Sequence, residues 1–166
     1  MPVRRLNHAV LYVRELTRSV PFYTETLGLT VAVEVPRQAA FLRARDSLND
    51  HDLGLFALGV HAPGPQQGRV GLYHLAWEVG TLGELDETAG KLRKRGALVG
   101  ASDHLVSKSL YAKDPDGNEF EVMWRVPRED WPDPDEQDRI RQLDLPAALA
   151  RWGADRTTGA AAGSVT

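Results

Sequence analysis

Apolar and polar side chains alternate along several short runs of this chain, the period of a half-buried strand. In residues 7–13, Ala9, Leu11 and Val13 share one face, and His8, Val10 and Tyr12 share the other. In 73–79, Tyr73, Leu75, Trp77 and Val79 oppose His74, Ala76 and Glu78. In 119–124, Phe120, Val122 and Trp124 oppose Glu119, Glu121 and Met123. The bulky sets suit packing beneath a helix. His8, His74 and Glu121 are therefore expected on the other, concave side of a curved sheet. Further strands are expected at 30–35, 39–43, 52–57, 98–101 and 107–113.

Helices are marked by their ends. One follows the first strand, with Thr17 as the expected N-cap, Pro21 in or just after the first turn and Gly28 as the stop. A second opens at the capping-box pattern Thr81 to Glu84 and stops near Gly96. Residues 58–71, with Pro63, Gly64, Pro65 and Gly68, read as a linker. Asp114-Pro115-Asp116-Gly117-Asn118 reads as a tight turn. The order β-α-β-β-β thus occurs twice, at 6–57 and 72–126, together one domain over 1–126. Beyond it, Pro127, Pro132 and Pro134 stand among acidic residues. Ile140, Leu143, Leu145, Leu149 and Trp152 are expected in short helical pieces broken at Pro146, and 157–166 as a disordered end.

The two halves repeat each other. Leu6, His8, Val13 and Leu16 superpose on Leu72, His74, Val79 and Leu82 at a common offset of 66 residues. Alone, a strand histidine among apolar neighbours is an ordinary hydrogen-bonded residue, and a strand carboxylate is a half-exposed one. Two histidines at equivalent places of a duplicated strand, with a carboxylate inside an otherwise apolar strand, point instead to a metal site of imidazoles and carboxylate. At the same offset, the counterpart of Glu121 is Leu55, which offers no ligand.

Composition narrows the partners. The 166 residues carry a net charge of −3 and are 42% hydrophobic, enough for one sizeable core. That charge gives no reason to expect nucleic acid or an anionic membrane. No run reaches the length of a membrane span, and no apolar signal core follows Met1-Pro2-Val3-Arg4-Arg5. There is no cysteine, which excludes disulfides, thiolate ligands and cysteine nucleophiles and agrees with a cytoplasmic location.

The paired β-α-β-β-β halves, Phe22-Tyr23 followed by Leu27-Gly28-Leu29, and the Asp114 to Asn118 turn leading to Glu121 resemble the vicinal oxygen chelate superfamily. That superfamily holds glyoxalases, bleomycin-resistance proteins, epimerases and extradiol dioxygenases. The resemblance implies an α+β fold in which two βαβββ modules form a curved, incompletely closed mixed-sheet barrel around a metal site, and a homodimer is the habit of the family. Glyoxalases of this kind use four protein ligands, one from the last strand of each half. Here only His8, His74 and Glu121 are available, a three-ligand set that suits non-haem Fe(II), with Mn(II) also admissible.

His51, ahead of the apolar run Leu53 to Phe56, shares parity with Leu55 and is expected to face the cavity. Together with Tyr111, ten residues before Glu121 as in the two-domain enzymes, and His104, a residue or two displaced from the family histidine, it resembles the residues of extradiol ring-cleavage dioxygenases, and the chain as a whole resembles a one-domain member. The implied reaction opens a catechol with O2. His51 would act as acid toward the reduced oxygen, and Tyr111 and His104 would bind the substrate oxygen. A lyase or epimerase of the same fold, or a metal-free antibiotic-binding protein, is the competing reading. His61 is expected to be solvated, and Glu78 to be a surface residue or salt-bridge partner.

Overall fold

The computed structural model describes residues 2–66, 68–133, 135 and 139–159. The chain is α+β, with one sheet of four strands and one of five, each open at both edges. Its residues group into two compact units. The first is Met1–Arg69 with Asp114–Asn118, and the second is Val70–Lys113 with Glu119–Thr166.

The first unit runs β1 (Ala9–Val13), α1 (Leu16–Leu27), β2 (Thr30–Val35), β3 (Ala39–Arg43) and β4 (Leu53–Ala57). The sheet order is β1-β4-β3-β2. β1 and β4 run parallel, so the chain must cross over between them, and α1 with the β2–β3 hairpin does so. Leu16, Phe22 and Tyr23 of α1 are buried, as are Val13, Leu42, Leu53 and Leu55 of the sheet. The exposed side of β1 carries Val10 and Tyr12, as the alternation predicts.

The N-cap of α1 is Glu15 and not Thr17. Glu15 has extended backbone, its carbonyl accepts from the Arg18 and Ser19 amides, and Thr17 falls inside the first turn. Gly28 ends the helix at φ 71°, a left-handed angle that glycine takes without a Cβ penalty.

The Asp114–Asn118 turn is held by side chains. The Asp114 carboxylate accepts from the Asp116 and Asn118 amides at 2.9 Å each. Tyr23 donates to Asp114 at 3.0 Å, Ser19 donates to Asp116 at 3.2 Å, and Arg14 pairs with Asp116 at 2.9 Å. Burial, together with the adjacent Asp114 charge, pushes the Tyr23 phenol well above its usual range and keeps it a donor.

The second unit runs β5 (Leu75–Glu78), α2 (Leu82–Lys94), β6 (Leu98–Asp103), β7 (Ser107–Lys113) and β8 (Glu119–Arg125). A 3-10 turn at Arg128–Asp130, β9 (Arg141–Gln142) and α3 (Leu145–Trp152) follow. The sheet order is β5-β8-β7-β6-β9. Its buried side holds Leu110, Ala112, Phe120, Val122 and Trp124, covered by Leu82, Leu85, Ala89 and Leu92 of α2. The capping box forms as expected: Thr81 Oγ1 accepts from Glu84 N at 3.2 Å, and Glu84 accepts from Thr81 N at 3.1 Å.

The tail is more ordered than the sequence suggests. Pro146 lies in the first turn of α3, where its missing N–H costs nothing, so it opens the helix and does not break it. Asp144 caps that helix by accepting from Ala147 N at 2.9 Å. Thr157 bridges Thr81, Thr158 N donates to Gly80 O at 2.7 Å, and Gly159 N donates to Arg125 O at 2.9 Å. These backbone partners tie down the start of the stretch expected to be disordered. Its remainder, 160–166, and Pro134 lie outside the described residues. No helix among the described residues is long and apolar enough to cross a membrane.

Candidate metal centre

His74 immediately precedes β5, and Glu121 is the third residue of the neighbouring parallel strand β8. The register pairs Ala76 with Glu121. His74 Nε2 lies 3.1 Å from Glu121 Oε2, and both side chains are largely buried. Two ligands held at about 2.1 Å from a metal and at right angles to each other stand about 3 Å apart. The other ring nitrogen of His74, Nδ1, is buried without a hydrogen-bond partner. An imidazole and a carboxylate so placed therefore fit two ligands of a transition-metal ion.

Across the antiparallel β7–β8 ladder, Tyr111 stands directly opposite Glu121. Its ring lies 5.8 Å from that of His74. Burial first, then the Glu121 charge, raises the phenol above its ordinary value, so Tyr111 is held protonated. His104 closes the group, with Nε2 2.9 Å from the Tyr111 hydroxyl. The second unit thus gathers four of the six expected site residues on the open side of its sheet.

The first unit holds the other two. His8, exposed just ahead of β1, has its Nδ1 2.8 Å from Asn7 Oδ1. With Nδ1–H donating there, Nε2 keeps its lone pair. His51 lies 4.5 Å from His8, ring to ring, and 5.0 Å from Phe41. Its Nδ1 is 2.8 Å from Asp50 Oδ2, and that hydrogen bond lowers the Asp50 carboxyl below its usual range. Among the described residues, no group of three or more His, Cys, Asp or Glu is gathered closely enough to hold a metal.

The ladder departs from the constant 66-residue offset, and His51 from simple strand parity. The ladder pairs Val10 with Gly54 where the second unit pairs Ala76 with Glu121, so the counterpart of Glu121 is Gly54 and not Leu55. The offset is 67 at this strand, one more than at β1 and β5, because the second half is one residue longer in between. The consequence holds: glycine supplies no ligand, and a Cβ there would approach Val10 Cγ2 at 3.3 Å. Leu55 itself is fully buried on the helix side. Parity with Leu55 therefore does not aim His51; β4 begins only at Leu53, and the preceding loop carries the ring back to His8.

Tyr73 is also misplaced by alternation. It precedes the strand, is 72% exposed, and its ring lies 4.8 Å from His74 instead of under the helix. In the second unit Tyr73 and its hydrogen-bond partner Glu119 adjoin His74 and Glu121, and in the first unit Asn7 adjoins His8. Sequence reasoning passed over all three, although each adjoins or shares parity with an expected ligand. His61 is exposed, and Glu78 pairs with Arg125 at 3.2 Å, both as expected.

The family model described as Glyoxalase/Bleomycin resistance protein/Dioxygenase superfamily matches residues 5–122. A catechol-2,3-dioxygenase of Bacillus subtilis (strain 168) is 30% identical over 159 residues, which cover 92% of this chain and 54% of that protein. Biphenyl-2,3-diol 1,2-dioxygenase 3 of Rhodococcus globerulus is 35% identical over 121 residues, covering 72% of this chain and 62% of that one. The chain thus spans less than two thirds of the length of these curated relatives. Among solved structures, a glyoxylase/bleomycin resistance protein/dioxygenase domain from Frankia sp. EAN1pec superposes with a TM-score of 0.59 at 25% identity, covering 75% of this chain and 100% of that one.

Proposed function

Because the chain belongs to the Glyoxalase/Bleomycin resistance protein/Dioxygenase superfamily, we propose from its site that it is an extradiol dioxygenase. It opens the ring of a catechol-type substrate with O2 beside the two hydroxyls, and both oxygen atoms enter a ring-opened semialdehyde or keto acid. The observation that carries this reading is the Tyr111–His104 pair, bonded at 2.9 Å and standing across the ladder from Glu121. A lyase with four protein ligands would want a donor where Gly54 stands. The relatives named as dioxygenases support the same reading.

His8, His74 and Glu121 are the ligands in this reading, holding Fe(II), with Mn(II) also compatible with the donor set. The metal would bring diol and dioxygen together and let electrons pass between them. The protonated Tyr111 phenol donates to a substrate oxygen. His104 Nε2 accepts from or donates to that phenol as the proton demand changes, which fixes the tyrosine's orientation. His51, oriented by Asp50, serves as the acid toward the reduced oxygen, a task suited to an imidazole near neutral pH.

The test is anaerobic loading with Fe(II), then catechol or 2,3-dihydroxybiphenyl, then air. A yellow product with matching oxygen uptake is expected. Turnover of neither diol, together with turnover of a methylglyoxal–thiol adduct, would overturn the reading in favour of a lyase. His51→Ala is expected to keep its iron and lose roughly 10²–10⁴-fold in kcat. Loss of iron in that variant would make His51 a ligand and reject the assigned role.

A further inference from the structure

The tail meets the second sheet where the His104 hairpin begins. β9 pairs with the end of β6, Gln142 opposite Ser102 and Arg141 opposite Asp103. α3 places the Trp152 ring 5.0 Å from Lys108 Nζ and 5.6 Å from the Trp124 ring. Lys108 is almost wholly buried, its side chain 3% exposed, and it pairs with Asp103 Oδ1. The same Oδ1 accepts from the Leu105 amide at 2.7 Å. Leu105 has φ 67°, a left-handed angle that a branched side chain takes only when its surroundings impose it. Around it, His104 N donates to Ser107 O at 3.0 Å and Val106 N donates to His104 O at 2.8 Å. This strained turn holds His104 against Tyr111.

Lys108 is a costly choice for an interior position. Burial lowers its affinity for a proton, Asp103 offsets that only in part, and the nearby Arg151 and Arg141 charges lower it further. An apolar residue facing Trp152 would pack there without that cost. A charge kept at such a place serves something other than packing. Among the described residues, the pair also meets the Leu105 amide and the Trp152 face.

We propose that Lys108 and Asp103 are positioning residues for His104, and that the C-terminal α3, by roofing Lys108 with Trp152, is a working part of the site. The catalytic consequence rests on the dioxygenase reading; the clamp itself does not. Asp103 retains solvent access on one side, with its side chain 23% exposed, so removing the lysine charge leaves a carboxylate that water can serve.

The experiment uses the full chain as Lys108→Met, Lys108→Arg and Trp152→Leu. In metal-free protein, amide exchange at Leu105 and the ring nitrogen shifts of His104 are read by NMR. Iron content, kcat and KM are then measured on loaded protein. For Lys108→Met we expect wild-type iron content, at least tenfold faster exchange at Leu105 and shifted His104 nitrogens. A roughly 10- to 100-fold fall in kcat with little change in KM should accompany them. Lys108→Arg should restore all of these, and Trp152→Leu should show them in smaller degree. Wild-type exchange and shifts in Lys108→Met would overturn the clamp. Faster exchange with unchanged kcat would overturn its role in positioning. Should Lys108→Met not fold, Lys108→Gln carries the same readouts. Should the wild-type protein turn over no diol, the NMR measurements still decide the clamp, so its failure and that of the dioxygenase reading are separable.

Discussion

The open sides of the two sheets are built on the same ladder and furnished in opposite ways. Where the second sheet sets Tyr111 opposite Glu121 beside Ala76, the first sets Phe41 opposite Gly54 beside Val10. The first side is apolar: Val10, Tyr12, Val33 and Phe56 are all large and exposed. The second carries the donors and acceptors. Both keep a histidine just ahead of their first strand. The connection between the third and fourth strands of each half also differs, spanning residues 44–52 between β3 and β4 and only 114–118 between β7 and β8. The longer connection is what brings His51 back onto His8. The two halves thus share a backbone plan and one histidine, and differ in their side chains and in this one connection. In the proposed reaction the second half supplies Tyr111 and His104, and the first supplies His51 as the acid.

The sharpest way to break this comparison is at the unequal ladder position. Glu121→Ala should lower Fe(II) affinity by more than the ~10–100-fold that loss of a merely orienting residue costs. Adding Gly54→Glu should not restore it, because the space beside Val10 is taken. Anaerobic equilibrium dialysis reads both, and rescue by the added glutamate would show the two positions to be interchangeable.

The next largest effect concerns Asp116, which lies between β7 and β8 in sequence yet serves the first unit. Asp116→Ala leaves Arg14 and Ser19 without their carboxylate and should cost about 3 kcal/mol in urea unfolding, the order found for a broken, largely buried ion pair. A loss below about 1 kcal/mol would mean that the turn contributes little to that unit.

The smallest effect separates the two helix starts. Thr81→Ala removes a real cap and should cost about 1 kcal/mol. Thr17→Ala, at the position that the sequence nominated, should stay within about 0.5 kcal/mol. Equal effects in thermal melts would erase the distinction between the capped and the uncapped helix.

Much of this was legible in the chain itself. The order of elements, the doubled β-α-β-β-β plan, the Thr81 to Glu84 box and the Asp114 to Asn118 turn follow from residues within a few positions of one another. The alternation around Glu121 follows in the same way. Local sterics, caps and a two-residue period act at that range, so they can be read without a fold.

What a fixed offset could not show was the one-residue difference in length that moves the counterpart of Glu121 from Leu55 to Gly54. Ladder register is set by hydrogen bonds between distant strands. Parity could not aim His51 or Tyr73, since both stand outside the regular strands and are placed by their contacts. Nor could composition show that the small polar end would be tied to Gly80 and Arg125, or that β9 and Trp152 would brace the turn carrying His104. Those placements depend on groups far apart in sequence that meet only after the sheets have formed, and only the tertiary structure decided them.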